Sequence, residues 1–162
     1  MYDLCVIGGG ASGMFASVLA LKAGLKVCLI ECNDRIGKKL LATGNGKCNL
    51  SNVDIRTDFY NTDKIANILS KFGSRECISV FNNLGLYIRQ KSGRIYPFCE
   101  MSSAVLNVLM NNLKGTDLRL STICNEIKKM PYGYDVITNK GTFKSVNVCL
   151  ATGSNASFGR NS

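Results

Sequence analysis

Histidine and tryptophan are both absent from the 162-residue chain, and only two prolines occur. Without histidine, the chain cannot form a Ser-His-Asp arrangement or use an imidazole as an acid–base group. It also lacks an apolar run near the ~20 residues needed to span a bilayer, because Lys22 ends the most apolar stretch. The first residues resemble a strand and not a signal peptide. We therefore expect one domain over 1–162 in a cytoplasmic protein.

Clustered metal ligands are missing as well. The chain has eight cysteines and no C-x-x-C pair, whereas zinc and iron–sulfur sites need ligands at short spacing. Several cysteines lie in apolar runs, where a free thiol behaves as a small hydrophobic side chain. We predict structural, reduced thiols in a reducing compartment and no metal site.

The charge is one-sided but dispersed. Twenty lysines and arginines against eleven acidic residues give a net charge of +9. The basic residues form neither a block nor an alternation with aromatic residues, which argues against nucleic acid as a partner. A preference for anionic small molecules such as a pyrophosphate is the alternative. We expect a small-molecule substrate, no nucleic acid and no membrane partner.

The N-terminal residues predict a β-α-β unit. Residues 3–7 and 26–31 have the apolar pattern of buried strands, and residues 12–23 form an apolar helix that ends at Gly24. A right-handed crossover makes the two strands parallel. This pattern predicts an α/β, Rossmann-like domain with a parallel sheet.

The remaining elements are less regular. Residues 32–52 lack periodicity and predict a long loop with a short helix near 36–41. The last third predicts a three-stranded antiparallel β-meander whose final strand returns to the main sheet, so we expect an incomplete domain of this fold. The predicted helices cover 63–72, 74–84 and 102–114, a hairpin covers 86–98, and the meander strands cover 118–130, 134–139 and 142–150.

Glycines follow the first strand in the pattern Gly8-x-Gly10-x-x-Gly13. In a dinucleotide site the first glycine permits a sharp turn, the second lets a pyrophosphate approach, and the third lets the helix pack on the sheet. The N–H groups at the start of the helix attract phosphates. Glu31, at the end of the second strand, can accept hydrogen bonds from ribose hydroxyls and disfavours NADP. The alternative is a glycine-rich turn that binds nothing.

The segment after Glu31 favours FAD over NAD. A chain that binds NAD usually continues quickly to the next helix, but this chain enters a glycine-rich loop that contains three lysines. Such a loop presents N–H groups, which a flavin needs near N5 and O4. A solvated basic loop is the alternative interpretation.

Two runs resemble a known family, the YhiN/BaiN-type flavoproteins, also called aminoacetone-oxidase-like FAD-binding enzymes. They are Ile7-Gly-Gly-Gly-Ala-Ser-Gly-Met14 and Arg35-Ile-Gly-Lys-Lys-Leu-Leu-Ala-Thr-Gly-Asn-Gly-Lys-Cys-Asn-Leu-Ser-Asn52. Gly93-Arg-Ile-Tyr-Pro97 and Ala151-Thr-Gly153 extend the resemblance over nearly the whole chain. It implies FAD-dependent oxidoreductase chemistry on a small organic substrate, and one branch is linked to the reduction of unsaturated bile-acid intermediates.

The resemblance also implies a set of cofactor-binding positions but no catalytic residue. Cys124 would offer its backbone to the adenine, and residues 151–153 would form a second turn against FAD. The implied positions are Gly8, Gly10, Ala11, Ser12, Gly13, Glu31, Lys39, Gly44, Asn45, Gly46, Cys48, Cys124, Ala151, Thr152 and Gly153.

The chain departs from the family pattern in two short segments and in its length. It has Cys99-Glu-Met-Ser102 where the family tends to have Ser-x-Lys-Ala, and Ser154 where a second glycine is usual. Family members continue into an inserted domain and a C-terminal segment, so the resemblance implies a truncated FAD-binding portion.

Several alternatives stay open at this point. The chain could be a catalytically silent fragment that binds a nucleotide, a missing domain or a copy of itself, or an RNA- or cofactor-modifying flavoprotein. Cys48 is either a redox thiol or a packing residue. Arg94 and Tyr96 either contact substrate or face solvent on a hairpin.

Overall fold

The computed structural model describes residues 1–62 and 64–153. Contacts within the chain divide it into two compact units: unit 1 contains Met1–Lys39 and the chain from Leu109 onward, and unit 2 contains Leu40–Val108. The strands are β1 Tyr2–Ile7, β2 Val27–Ile30, β3 Ser51–Asn52, β4 Ile88–Lys91, β5 Arg94–Pro97, β6 Asp117–Arg119, β7 Cys124–Met130, β8 Gly133–Thr138 and β9 Gly141–Leu150. The helices are α1 Ala11–Lys22, α2 Lys38–Leu41, α3 Ile65–Leu69, α4 Ser74–Asn83 and α5 Ser102–Asn112, with 3₁₀ turns at Thr43–Gly46 and Thr57–Phe59.

Unit 1 is built on a six-stranded sheet with the strand order β6-β2-β1-β9-β8-β7. β1 pairs in parallel with both β2 and β9, as the β-α-β pattern predicts. β9 is shared between two kinds of pairing: its first half pairs antiparallel with β8 and its second half in parallel with β1, with Ser145 in both registers. The predicted return of the meander to the main sheet, and with it the α/β fold class, is confirmed.

One predicted strand is in fact two. Residues 118–130 were expected as a single strand, but β6 pairs in parallel with β2, whereas β7 pairs antiparallel with β8. The chain turns between them at Ser121, which has a φ of +48°. The turn is held at the end of β2, where Thr122 N donates to Glu31 O at 2.9 Å. Neither glycine nor proline marks this turn in the sequence, and the bond to Glu31 that holds it depends on a residue 91 positions away.

Cysteines occupy the core of unit 1. Cys5 and Cys28 lie opposite each other on β1 and β2, and neither side chain is exposed to solvent. A hydrogen bond with Cys28 and burial both raise the pKa of Cys5, so this thiol stays neutral. All eight cysteines are free, and among the described residues no three potential metal ligands come together.

Unit 2 contains a small antiparallel sheet in the order β3-β5-β4. β4 and β5 form the predicted hairpin, while the short strand β3 was not anticipated. Helix α3 is shorter than predicted, and Asp63 lies outside the described residues. Gly73 is the N-cap residue of α4, and the Glu76 carboxylate accepts a 2.8 Å hydrogen bond from Gly73 N. Within the described part of the chain, no helix combines the length and the apolar character needed to cross a bilayer.

Candidate functional site

The glycine-rich turn between β1 and α1 folds tightly on itself. Gly8 has a φ of +111°, and a β-carbon there would lie 2.3 Å from Ala151 O. A β-carbon on Gly13 would lie 1.8 Å from Gly8 O, closer than any non-bonded atoms approach. The fold itself therefore requires both glycines, for the sharp turn and for the close packing of the helix that the sequence predicted.

Gly10 is different. Its φ of −79° and ψ of −173° are open to every residue type. Apart from Gly10 and its two chain neighbours, no residue of the described chain has a heavy atom within 4 Å of the position that its β-carbon would occupy. Neither backbone strain nor packing within the protein explains a glycine here. Open space above this backbone is what a diphosphate needs in order to reach it, so the position fits such a ligand.

The N-terminus of α1 lies directly after this open position. The first helical hydrogen bond runs from Met14 N to Gly10 O, at 2.9 Å. The N–H groups of residues 11–13 precede it, and an α-helix gives its first N–H groups no internal acceptor. Within the described chain, no side chain caps this end and no acidic residue occupies its first turn. The partial positive charge here is therefore available to an anion.

Glu31 reaches back to the same turn. Its Oε2 accepts a 2.7 Å hydrogen bond from Gly9 N, and its Oε1 accepts bonds from Asn33 N at 2.8 Å and from Asn33 Nδ2 at 2.6 Å. Burial alone would raise the pKa of Glu31, but the hydrogen bonds from Asn33, Gly9 and Cys32 outweigh burial, and the net effect is a lowered pKa. The carboxylate is thus ionised and fixed beside the glycine turn. Oε2 accepts one bond from the described residues, which leaves it capacity for a ligand hydroxyl.

Asn33 is held in turn by Lys38. Lys38 Nζ lies 3.3 Å from Asn33 Oδ1 and 2.6 Å from Asp34 Oδ1. The Lys38 ammonium group can only donate hydrogen bonds, so it attracts the amide oxygen of Asn33. The amide nitrogen of Asn33 is therefore turned towards Glu31. Reasoning from sequence missed Asn33 and Gly9. The one available signal was an asparagine two residues after the acid, a spacing that favours a local side-chain hydrogen bond.

The Glu31 network makes stability depend on pH. Glu31→Gln should lower the free energy of unfolding at pH 7 by about 1–3 kcal/mol, because charge-assisted bonds become neutral ones. The folded-state pKa lies below the ordinary glutamate value of about 4.3. This stability is therefore present above that value and is lost as the pH falls through the folded pKa.

Urea unfolding at pH 7 and at about pH 3 measures this effect. The difference between wild type and Glu31→Gln should shrink at the lower pH. Glu126→Gln, at an exposed ion pair on β7, serves as the matched control and should change stability little. A wild-type advantage over Glu31→Gln that stays constant with pH would contradict the ionised network.

The turn after β9 packs against the glycine turn. Ala151 N donates to Ile7 O at 2.8 Å, and Thr152 Cα would lie 3.1 Å from a β-carbon on Gly8. Lys39 Nζ lies 3.8 Å from the β-carbon position of Gly153. Ala151 and Thr152 therefore lie against the glycine-rich turn and Lys39 lies beside Gly153, whereas their contact with a cofactor stays a prediction.

Cys124 begins β7, opposite Thr138. Its side chain packs against the cluster that contains Cys5 and Cys28. Because the side chain packs in the core, Cys124 could contact a ligand only through its backbone, as the resemblance implies.

The remaining predicted positions share one loop of unit 2. Gly44, Asn45, Gly46 and Cys48 all have left-handed backbones, with φ of 55°, 53°, 81° and 54°. For Asn45 and Cys48 this conformation costs about 1–3 kcal/mol each, a kind of strain that concentrates at functional sites. Hydrogen bonds from Lys47 N to Gly44 O and from Cys48 N to Thr43 O close the loop, at 3.0 and 3.1 Å.

The Cys48 thiol is poorly placed for redox chemistry. The residue is 3% exposed, and burial raises the pKa of its thiol above the ordinary value. Since the thiolate is the reactive form, the arrangement favours a packing role for Cys48.

A short alkylation pulse should separate the eight thiols by burial. Iodoacetamide is expected to label the exposed Cys99 first and Cys32 next, because partial burial and the hydrogen bond of its thiol to Glu31 raise the pKa of Cys32. Cys5, Cys28 and Cys48 should stay unlabelled until urea unfolds the chain, and peptide mass spectrometry would locate the labels. Rapid labelling of Cys48 in the native protein would restore it as a candidate redox thiol.

Comparison with known proteins agrees with the fold of the chain and identifies its family. Residues 2–160 match a family model described as HI0933-like protein Rossmann domain. The chain is 33% identical to the 3-dehydro-bile acid delta(4,6)-reductase of Clostridium scindens, over 97% of this chain and 40% of the relative. It is 29% identical to the ribosomal RNA dihydrouridine synthase of Escherichia coli, over 94% of this chain and 39% of that relative.

Among solved structures, a flavocytochrome c3 fumarate reductase in its open conformation has the same fold. The TM-score is 0.63 at 20% identity, over 94% of this chain and 34% of that chain. The chain spans about 40% of the length of the first two curated relatives.

Proposed function

Since the chain belongs to the HI0933-like family, we propose that it supplies the FAD-binding part of a flavin-dependent oxidoreductase. The match over residues 2–160 confirms the family resemblance that the sequence indicated. The observation that carries the proposal is the open backbone at Gly10, at the start of α1, beside the fixed carboxylate of Glu31.

The residues of unit 1 fit the adenosine diphosphate half of FAD. The N–H groups of Ala11, Ser12 and Gly13 would bind the diphosphate, with the charge of Lys39 beside residues 151–153 supporting them. Glu31 would accept hydrogen bonds from the ribose. A 2′-phosphate would meet this carboxylate at short range, so like-charge repulsion selects against NADP.

Gly44, Asn45, Gly46 and Cys48 stand at the positions that the family resemblance gives to the cofactor, and their left-handed backbones are consistent with a functional loop. When bound, FAD supplies hydride transfer to or from a substrate. The contribution of the chain is to hold and orient the cofactor and to keep the Glu31 carboxylate ionised.

A small organic substrate is the first candidate. It is supported by the similarity to the bile acid reductase, which is the more similar of the two relatives described above. We further propose a cytoplasmic location, supported by eight free cysteines, which persist in reducing compartments.

An RNA substrate is the second candidate. It is favoured by similarity to a ribosomal RNA dihydrouridine synthase, although the dispersed basic residues form no block or stripe that would bind a phosphate backbone. Affinity for a short RNA across a salt series distinguishes the two candidates. A steep loss of affinity with salt would favour RNA, because phosphate contacts release counterions.

The absorption spectrum of the purified chain tests the cofactor. We expect the flavin bands to be present, or to appear after incubation with FAD and removal of excess by gel filtration. The cofactor released by heating should be FAD and not FMN, because the proposed contacts of unit 1 are to the adenosine diphosphate half. A chain that stays colourless after incubation would reject the proposal and leave a silent fragment as the remaining interpretation.

A further inference from the structure

Unit 2 gathers positive charge on one face of its small sheet. Arg89 lies directly opposite Tyr96 in the pairing of β4 with β5, and Lys91 lies directly opposite Arg94. Residues opposite each other in an antiparallel pair point to the same face, and like charges in that position destabilise the sheet. The Lys91–Arg94 pair is therefore an unfavourable arrangement in the protein alone.

One carboxylate contacts Arg89, Lys91 and a third cation, Lys47. Glu100 contacts Lys47 Nζ at 3.2 Å, Lys91 Nζ at 3.2 Å and Arg89 Nη1 at 3.5 Å. These contacts with Lys47 and Lys91 lower the pKa of Glu100, so the carboxylate is ionised. Its single negative charge does not balance three cations.

Arg94 adds a fourth cation. In the part of the chain that the structure describes, its guanidinium has no carboxylate partner. The cluster of Lys47, Arg89, Lys91, Arg94 and Glu100 therefore carries three unbalanced positive charges. We refer to these five residues as the basic cluster.

A cavity opens beside the basic cluster. It has a volume of about 400 Å³ and is lined by Ala42, Gly44, Asn45, Lys47, Asn49, Arg94 and Tyr96. Pockets for small ligands usually measure about 300–1,000 Å³. Amide and phenol groups supply further polar contacts within this cavity, next to two of the cations.

We propose that this cavity binds a phosphate group of a ligand, with Arg94 as its principal partner and Lys47 as the second. A phosphate monoester carries about −1.5 to −2 charges at pH 7, which matches the excess charge better than a carboxylate does. The planar guanidinium can also donate two parallel hydrogen bonds to phosphate oxygens. That the ligand is the substrate rests on the proposed function, whereas the phosphate site itself does not.

Titration of the ¹⁵N-labelled full chain with inorganic phosphate at constant ionic strength tests the site. Amide resonances of residues 44–49 and 94–96 should shift and saturate. Arg94→Gln should weaken this binding by about 10-fold or more, since it removes a charge-assisted pair. Arg94→Lys, which keeps the charge and loses the paired geometry, should give an intermediate loss and guards against misfolding of the first variant.

Arg75→Gln is the matched control, because it removes an equal charge from α4 outside the cavity. It should change the affinity by less than about 2-fold if binding is local and not a response to net charge. An equal loss in both glutamine variants, or no saturable shift in the wild type, would overturn the site.

The proposed phosphate site and the proposed FAD site can be tested separately. Phosphate at the N-terminus of α1 would shift resonances 11–13, and Gly10→Val should remove that effect while leaving residues 44–49 responsive. Saturation with FAD should leave phosphate binding intact when it is followed at residues 94–96, because the family resemblance gives residues 44–46 and 48 to the cofactor itself. Its loss would overturn the proposal, because the cavity would then belong to the cofactor.

A short single-stranded RNA distinguishes the sources of the phosphate. Binding of RNA or of inorganic phosphate supports the site if Arg94→Gln weakens that binding. Affinity for RNA well above that for inorganic phosphate would assign the site to a nucleic acid backbone, whereas comparable affinity would assign it to a small phosphorylated ligand.

Discussion

Gly10→Val is expected to abolish FAD binding while the chain remains folded. The backbone at Gly10 is accessible to any residue, and its β-carbon would meet no atom of the described chain within 4 Å. Valine at this helix N-cap should therefore cost only about 1 kcal/mol of stability. Its two methyl groups, however, would fill the space through which the diphosphate approaches the helix. We expect affinity for FAD to fall by about 100-fold or more.

Flavin absorbance after gel filtration measures the loss, and thermal unfolding of the cofactor-free protein measures the stability. Gly10→Ala adds a single carbon and should lower the affinity for FAD by less than Gly10→Val does. Retained FAD in a folded Gly10→Val chain would show that no ligand uses the open space. Loss of the folded state would show that the glycine has a structural role after all.

Gly13→Ala, in contrast to Gly10→Val, is expected to destabilise the fold itself. The added β-carbon would lie 1.8 Å from Gly8 O and 3.2 Å from the Ala151 β-carbon. The nearest atom belongs to the backbone and cannot move without displacing β1 or α1. We expect a destabilisation of about 4 kcal/mol or more, in the range reserved for severe steric changes.

Gly24→Ala is the control for this substitution. Gly24 follows α1 with a φ of +79°, and no described atom lies within 4 Å of its β-carbon position. Only backbone strain remains there, which should cost about 1–2 kcal/mol. Urea unfolding of both variants gives the comparison. Similar stabilities for Gly13→Ala and Gly24→Ala would contradict the close packing of α1 on the turn.

The sequence predicted those features that depend on neighbours along the chain. The β-α-β unit, its glycines and the position of Glu31 belong to one short segment, where apolar pattern and turn chemistry determine the local structure. The hairpin of β4 and β5 was predicted for the same reason, from turn residues between two short strands.

The features that the sequence did not predict depend on distant partners or on side-chain geometry. β6 is separated from β7 because Ser121 and Thr122 bond to residues at the end of β2. Glu100 looked like a departure from a family pattern and is the shared partner of three cations. The dispersed charge in the sequence gave no sign that folding would place Lys91 opposite Arg94.

Competition between ADP and FAD tests the central claim most directly, namely that free amides at the start of α1 and the Glu31 carboxylate hold the adenosine diphosphate half of the cofactor. The account predicts that ADP displaces FAD from the wild-type chain, that NADP does so far less effectively, and that Gly10→Val binds neither ADP nor FAD. Saturable FAD binding that ADP leaves unchanged would place the cofactor elsewhere and contradict the account.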